Sequence, residues 1–600
     1  MNVRRTRSND LGDRLDELRA YLVESAGDDR LSAAHPDNRA SAENLAHYVA
    51  LRRRDVRDLQ ADLAVLGLSS LGRAEPHVLA SLDAVRAAVA GLSGRVAPQR
   101  DPGPVDFVAG ERLSRHNANA LFGAARNGRR TRIMVTLPTE AGVDAVLVDR
   151  IVAAGAELVR LNCAHDDPEQ WEKMIANVRA AGRAHGRHVR VTMDLGGPKL
   201  RTGPLLPGPR VVHVKPVRDA LGRCVAPARV WLTDSTRRAG AAATWLPVAD
   251  RQWLDRRKVG EHISFRDARG SGRRFVVSTV APDGCLAELA DTAYLVPGTL
   301  LRAAHHDVAA VGSVPPQEQK LLLRADETLL VGATVEPVDP ASTPHRIGCT
   351  LPQVFEDARV GQRIFFDDGK IGGLIESLDA GELRVRITDA PAQGARLGAG
   401  KGINLPDTEL GLPALTDEDI ARLPFVIEHA DAVSLSFVRT SADVELLHRQ
   451  LTELGGTELG LILKIETVAG FENLPEILLT AMRWPRVGVM IARGDLAVEA
   501  GYARLAEVQE EILWLCEAAH VPVIWATQVL DTLARTGRPS RAEVTDAAMS
   551  GRAECVMLNK GPYIDHAVAF LDDILIRMAD HQRKKNPVLR QLRSWDESTP

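Results

Sequence analysis

The sequence predicts an α/β protein. Its centre is a closed (β/α)8 barrel of the TIM type, with a β-barrel-type domain inserted after the third strand and a helical region ahead of it. Three observations predict this. Eight short apolar, β-rich runs follow residue 131, most of them separated by helical stretches such as AGVDAVLVDRIVAAG and RLAEVQEEILWLCEAAH. Near-continuous apolar strands between helices imply a parallel sheet covered on both faces, and eight of them can close. Between the third and fourth runs lie roughly two hundred residues of another texture, Gly- and Pro-rich with alternating strands.

Residues 1–125 read as helical. Leu11, Leu15, Leu18 and Leu22 recur on one helix face, and a second helix carries Leu45, Val49, Val56, Leu59, Leu63 and Leu66 with RRRD on its solvated side. The barrel strands are TRIMVTL, ELVRLNC and VRVTMDL, then AVSLSFV, LGLILKIE, VGVMIARGD, VPVIWATQ and CVMLNK. They place the barrel in residues 131–203 and 401–580, a length typical of the fold. Residues 204–400 are then an inserted β-rich lid, and 581–600 a C-terminal tail. Within the insertion VGEHISFRDARG (259–270) resembles VGQRIFFDDGKI (360–371), which predicts two tandem modules.

Bulk properties exclude several classes. A net charge of −4 gives no basis for a nucleic-acid or membrane-surface partner, and no apolar run approaches the length of a membrane span. The first residues lack the apolar core of a secretory signal. Six cysteines are scattered without CxxC spacing. Together these predict a cytoplasmic chain. RLGAGKG (396–402) lacks the first glycine and the final hydroxyl of a Walker loop.

In such a barrel the chemistry sits where strands end. Here the ends carry Arg160, Asn162 and His165; Asp194; Ser436 and Arg439; Lys464 and Glu466; Arg493 and Asp495; Thr527 and Gln528; Asn559 and Lys560. Buried charges are costly unless they are paired or hold a ligand. Carboxylates at Asp194, Glu466 and Asp495 beside cations at Arg160, Arg201 and Lys464 suit a divalent metal and an anionic, phosphorylated substrate.

The motifs RLNCAH, DLGGPKLRTG, FFDDGKI, KGINLP, LKIET, VMIARGDLAVE, IWATQVL and RPSRAEVTDAAMSG resemble the pyruvate kinase family in order and spacing. The resemblance covers the barrel and the second half of the insertion. It implies phosphoryl transfer from phosphoenolpyruvate to ADP, giving pyruvate and ATP. It also implies roles residue by residue. Lys464 would stabilise the phosphoryl group in flight, with Arg160, Thr527 and Lys199 also catalytic. Glu466 and Asp495 would hold Mg²⁺, for which Mn²⁺ can substitute. The backbone of Ala492, Arg493 and Gly494 would face the substrate carboxylate, with Thr527 beside the enolate. Arg160, Asn162, His165, Arg201 and Lys401 would lie on the nucleotide side, and Asp368 would belong to the closing lid.

The departures from the family are as telling. Many pyruvate kinases bind K⁺ through an Asn, a Ser and an Asp. Here Asn162 and Asp194 are kept as a vestigial site, Ala164 stands for the serine, and Lys199 follows Gly197-Pro198 where the K⁺-dependent enzymes have Glu. The Lys199 ammonium is therefore expected in the cation's space, and K⁺ is not expected to be required. LNKGPY replaces the family's Ser-Gly-Glu-Thr after strand eight, the effector-binding C-terminal domain is expected to be missing, and a homo-oligomer stays open. Two other readings remain at this point: a pyruvate-enolate lyase or aldolase on a related barrel, and a non-catalytic sensor of phosphoenolpyruvate or nucleotide.

Overall fold

A computed structural model of the chain describes residues 2–26, 29–96, 103–126, 128–234, 244–304, 307–379, 381–579, 581–583 and 586–587. They divide into two compact units, residues 1–200, 351–375 and 402–600 in the first and 201–350 with 376–401 in the second.

The first unit holds the barrel. Its strands are β1 Arg132–Thr136, β2 Leu158–Asn162, β3 Arg190–Asp194, β4 Ala432–Leu435, β5 Gly460–Ile465, β6 Val487–Ala492, β7 Val523–Ala526 and β8 Cys555–Leu558. All neighbours pair in parallel, and β8 returns to β1, so the sheet closes. Each strand coincides with one of the eight predicted runs. Every strand but β2 and β3 is buried along its whole length, because helices cover the outside and side chains fill the inside.

The N-terminal helices share this unit's core. Leu11, Leu15, Leu18 and Leu22 of helix Asn2–Ser25 are all buried, as their spacing requires. Buried polar groups join the helices to the barrel's outer layer. Asn44 donates to the carbonyls of Glu75 and Ala518, and the His520 ring lies 2.9 Å from both Ser41 Oγ and the Pro76 carbonyl. The second predicted helix is in fact two, Arg39–Arg52 and Arg57–Val65. Asp55 breaks it: its carboxylate accepts the Arg57 N–H at 3.1 Å, an Asx turn that competes with the helix ladder. The arginines at 52–54 are exposed there.

A last N-terminal helix, Phe107–Phe122, starts on Asp106, whose carboxylate caps the N–H groups of Val108 and Ala109. Its end enters the barrel. Leu121 and Phe122 pack with Met134, Leu158, Ile462, Met490, Ile524 and Met557, interior residues of six strands. Glycines at Gly460 and Gly488 make room for the plug. A Cβ at Gly488 would lie 2.5 Å from Leu121 Cδ2, and one at Gly460 would collide with Leu121 as well.

The second unit contains a seven-stranded sheet in the order Val308–Ala310, Leu300–Arg302, His262–Arg266, Gly272–Ala281, Gly284–Leu289, Ala228–Thr233, Thr244–Pro247. Its last two strands run parallel and the other neighbours antiparallel. The same pairing recurs about a hundred residues on. Thr328–Gly332 runs parallel to His345–Gly348 and antiparallel to Glu382–Asp389. In the first unit Arg363–Phe366 pairs with residues 371–374 on one side and with Ile403–Asn404 on the other. Beyond the final helix, Ile564–Met578, a two-residue strand pair remains, and most of the predicted tail lies outside the described residues.

The plug gives a direct test. Gly488→Ala should lower the unfolding free energy by about 1–3 kcal/mol in urea titrations, the usual cost of overpacking a core. That cost should shrink on a Leu121→Ala background if Leu121 is what the new methyl meets.

Candidate active site

The β-strand register brings the charged strand ends to one rim. Asn162 at the end of β2 stands opposite Asp194 at the end of β3, and Asp194 stands opposite Ser434 of β4. β5 then delivers Lys464 and Glu466. A chain of contacts links them. Arg160 Nε donates to Asp194 Oδ2 at 2.6 Å, and Lys464 Nζ lies 3.5 Å from that same oxygen. Lys464 Nζ also reaches Glu466 Oε1 at 3.0 Å and donates to Ser436 Oγ at 2.8 Å. The Ser436 hydroxyl in turn donates to the Leu195 carbonyl at 2.8 Å.

These groups are almost dry: Asp194 is 1 %, Glu466 3 % and Lys464 6 % exposed. Burial alone would favour the neutral forms of Asp194 and Lys464. It works against the Asp194 anion, yet Arg160 and Lys464 together hold the carboxyl below its ordinary range. It works equally against the Lys464 ammonium, but Glu466 and Asp194 outweigh it and raise the amine. The rim is thus a fixed array of full charges, which costs no reorganisation when a ligand's charge changes.

Asp495 lies in the first turn of helix Arg493–Ala500, which begins directly after β6. Burial, then the nearby Glu466, push its carboxyl up to about 6, Asp368 adds to this, and Lys464 and Lys199 oppose it. A buried and a half-buried carboxylate that repel one another form an all-oxygen donor pair, which suits a hard divalent cation. Glu466 keeps its own orientation through Oε2, which accepts the Phe437 N–H at 2.6 Å. Among the described residues no three His, Cys, Asp or Glu side chains cluster as a ligand set. Glu466 and Asp495 therefore fit a metal that takes its other ligands from elsewhere.

The glycine loop after β3 is held from below. Asp419 accepts the N–H groups of Gly196 at 2.8 Å and Gly197 at 3.1 Å. Gly197 has φ 66°, and a Cβ there would stand 3.0 Å from the Phe437 ring, so only glycine fits. Lys199, half-buried, follows on this loop. The two residues expected to remain from a cation site have protein partners: Asn162 Oδ1 accepts the Ala164 N–H at 3.1 Å, while Asp194 Oδ2 serves Arg160 and Lys464. His165 is exposed beside them.

After β7 the backbone is strained, with φ 65° at Thr527, 60° at Gln528 and 48° at Leu530. Such conformations persist where surroundings impose them, commonly at working sites. Here Arg493 imposes them, donating to the carbonyls of Ala526 and Thr527 at 3.0 and 2.6 Å and to Asp546 at 2.5 Å. Thr527 Oγ1 accepts the Gly494 N–H at 2.9 Å, so Gly494 and Thr527 face one another. Ala492 is the buried last residue of β6.

Arg201 and Lys401 belong to the second unit. Arg201 donates to the Gly400 carbonyl at 2.7 Å, and the Lys401 N–H donates to Thr202 Oγ1 at 2.8 Å, so the two residues share one tie. Asp368 belongs to the first unit, in the left-handed turn Asp367–Asp368. Sequence reasoning missed three supports. Asp419 reads as the capping-box acid of helix Asp417–His429, which it also is. Asp546 lies within the RPSRAEVTDAAMSG motif, in which the resemblance assigns it no role. Glu499, pushed by burial up to about 7 and bonded to Asn404 at 3.2 Å, stands one turn beyond Asp495.

Comparison with known proteins follows the same lines. A family model described as "Pyruvate kinase, barrel domain" matches residues 128–221 and 313–566. The chain therefore belongs to the pyruvate kinase family. Residues 222–312, which carry every strand of the seven-stranded sheet, fall outside the match. A pyruvate kinase of Mycobacterium intracellulare is 26 % identical over 467 residues, covering 77 % of this chain and 72 % of the relative. One of Corynebacterium efficiens is 27 % identical over 435 residues, 72 % of this chain and 65 % of the relative. For one of Geobacillus stearothermophilus the figures are 26 % over 459 residues, 75 % and 57 %. The chain thus spans between 57 % and 72 % of these relatives' lengths. Among the described residues no helix is long and apolar enough to cross a membrane.

Removing the lysine tests the charge array. Lys464→Met should destabilise the fold by about 3–5 kcal/mol, since two buried carboxylates lose their cation. Asp194 keeps Arg160 but loses the second cation that holds its carboxyl down, so its pKa rises in the folded state. The loss should therefore be smallest in acid, where the carboxyl is protonated in both proteins, and grow as pH rises through the carboxylate range, read from urea unfolding at each pH.

Proposed function

We propose that this chain transfers the phosphoryl group of phosphoenolpyruvate to ADP, giving pyruvate and ATP, in the cytoplasm, with Mg²⁺ or Mn²⁺ and without K⁺. The observation that carries the reading is Lys464, whose ammonium is fixed by Glu466, Asp194 and Ser436 beside the Glu466–Asp495 pair. A lysine caged in this way is poised for a group whose charge moves rather than for structural pairing alone.

In this reading an ADP phosphate oxygen attacks phosphorus and the P–O bond to the enol oxygen breaks. Little covalent work falls to the protein; it positions the reactants and neutralises charge. Lys464, fixed in place, neutralises charge on the phosphoryl group as it passes between the two oxygens. Glu466 and Asp495 would hold the Mg²⁺, which when bound supplies Lewis-acid polarisation of substrate oxygens. The N–H groups at the start of helix Arg493–Ala500, from Ala492 to Gly494, receive the substrate carboxylate, as helix N-termini do. Thr527, already bonded to Gly494, stands where the enolate takes its proton. Arg160, Asn162, His165, Arg201 and Lys401 serve the nucleotide, and Asp368 belongs to the segment that closes. Lys199 supplies the positive charge that K⁺ supplies elsewhere, a point charge on a flexible stem.

We further propose that residues 204–400 are a tandem duplication, with the later module the family's lid and the earlier one an addition. The repeated strand pairing and the unmatched residues 222–312 support this.

The test is pyruvate formation from phosphoenolpyruvate, ADP and Mg²⁺, with K⁺ or with a large organic cation in its place. The wild-type chain should turn over equally in both. The Ala164→Ser/Lys199→Glu variant should need K⁺. Turnover that already requires K⁺ would discard the role of Lys199. Binding of phosphoenolpyruvate without pyruvate would favour the sensor, and exchange at the pyruvate methyl without ATP would favour the lyase. Thr527→Val should lower kcat about 10²-fold or more with little change in KM, as loss of a proton-transfer group does.

A further inference from the structure

The seven-stranded sheet carries a cationic groove that the proposed kinase chemistry does not use. Along His262–Arg266 the side chains alternate: Ile263 and Phe265 are buried, while His262, Ser264 and Arg266 are exposed. The neighbouring strands continue the open face. Arg274 stands directly opposite Ser264 on one side and Arg302 directly opposite it on the other. Gly272 stands opposite Arg266, whose Nη1 donates to the Gly270 carbonyl at 3.1 Å. These residues, with Arg273, line a groove of about 1170 Å³.

The arginines are uncompensated. In the same module Arg251, Arg256, Arg257 and Arg269 each hold an aspartate or glutamate. Among the described residues no carboxylate forms an ion pair with Arg266, Arg273, Arg274 or Arg302, and only Glu288 and Asp291 bring negative charge to the groove. Asp291 is itself within 3.8 Å of Arg218. Four arginines against two carboxylates leave the groove with an excess of positive charge, and such an excess on a rigid sheet is stabilised by an anion.

The later module shows what the corresponding face does when it is used. There Phe365 replaces Ser264, and its cross-strand partners are Gly372 and Asn404 in place of Arg274 and Arg302. That face is closed within the first unit: Asn404 bonds Glu499, and Gly369 lies against Val498, both on the helix that carries Asp495. The earlier module has arginines at these places, and it is the segment the family model does not match.

We propose that this groove binds a small polyanion, a metabolite with two or more phosphate or carboxylate groups. Adjacent strands stand about 4.8 Å apart and alternate residues about 6.8 Å along a strand, so Arg266, Arg274 and Arg302 are rooted roughly 7–10 Å from one another. That spacing fits two anionic groups of one small molecule. It does not fit a single-stranded nucleic acid, which needs aromatic platforms; the one aromatic carbocycle lining the groove, Phe265, is 4 % exposed. Arginine forks suit phosphate and carboxylate alike.

The experiment is calorimetric titration of inorganic tripolyphosphate into the full chain in metal-free buffer, on wild type, Arg274→Ala/Arg302→Ala and Lys464→Met. Both arginines are exposed, so the double variant should keep wild-type unfolding and turnover. Wild type and Lys464→Met should bind alike, the double variant at least tenfold more weakly, with affinity falling as salt rises. Equal binding by wild type and the double variant, loss of binding in Lys464→Met alone, or no wild-type binding would overturn the proposal. An oligouridylate that displaces tripolyphosphate at a hundredfold lower concentration would also overturn it, in favour of a nucleic-acid ligand. Because the groove is read out by binding, failure here leaves the kinase reading standing, and the reverse holds too.

Discussion

One ammonium organises the working end of this barrel. Lys464 meets three oxygens from three strand ends, Asp194, Ser436 and Glu466, in a place almost closed to water. Burial works against the charges of Asp194 and Lys464, and each keeps its own because it faces the other, with Arg160 also beside Asp194 and Glu466 beside Lys464. Much of the surrounding structure serves this balance. Arg160 takes the rest of the Asp194 charge, the Phe437 N–H fixes the far oxygen of Glu466, and the Ser436 hydroxyl is oriented by the Leu195 carbonyl.

The supports outside that cluster are made of backbone. Asp419 pins the glycine loop that carries Lys199, and Arg493 with Asp546 holds the left-handed run that presents Thr527. At the other end of the barrel Leu121 and Phe122 fill the interior. The N-terminal helices are therefore part of the folding unit rather than an appendage. A chain that lost them would expose the barrel floor and strip the Ala518 carbonyl and the His520 ring of their partners.

Most of the barrel was legible because its strands are buried on both faces. Period and length alone mark such runs, and all eight predicted runs are strands. The helix pair at Arg39–Val65 was not separable, since its apolar spacing continues across the break and only the Asp55 side chain interrupts it. In the site, residues that end strands stood out, because a charge after an apolar run has no packing explanation. Asp419, Asp546 and Glu499 did not. Each sits in a helix whose sequence already explains an acid, as a cap or a solvated face, and only the fold shows that its carboxylate faces inward. Arg266, Arg274 and Arg302 were illegible for a different reason: they are far apart in sequence, and only strand pairing assembles them.

The most direct measurement is a single turnover with phosphoenolpyruvate labelled in its phosphoryl group, mixed with ADP and Mg²⁺ and quenched rapidly, on wild type and Lys464→Met at a pH where both are folded. The account predicts labelled ATP from wild type, and transfer slowed by about 10²–10³-fold or more in the variant while phosphoenolpyruvate binding is retained, the usual scale for losing one preorganised electrostatic contact. Transfer at the same rate in both would contradict it, and would leave Lys464 as a structural ion-pair partner only.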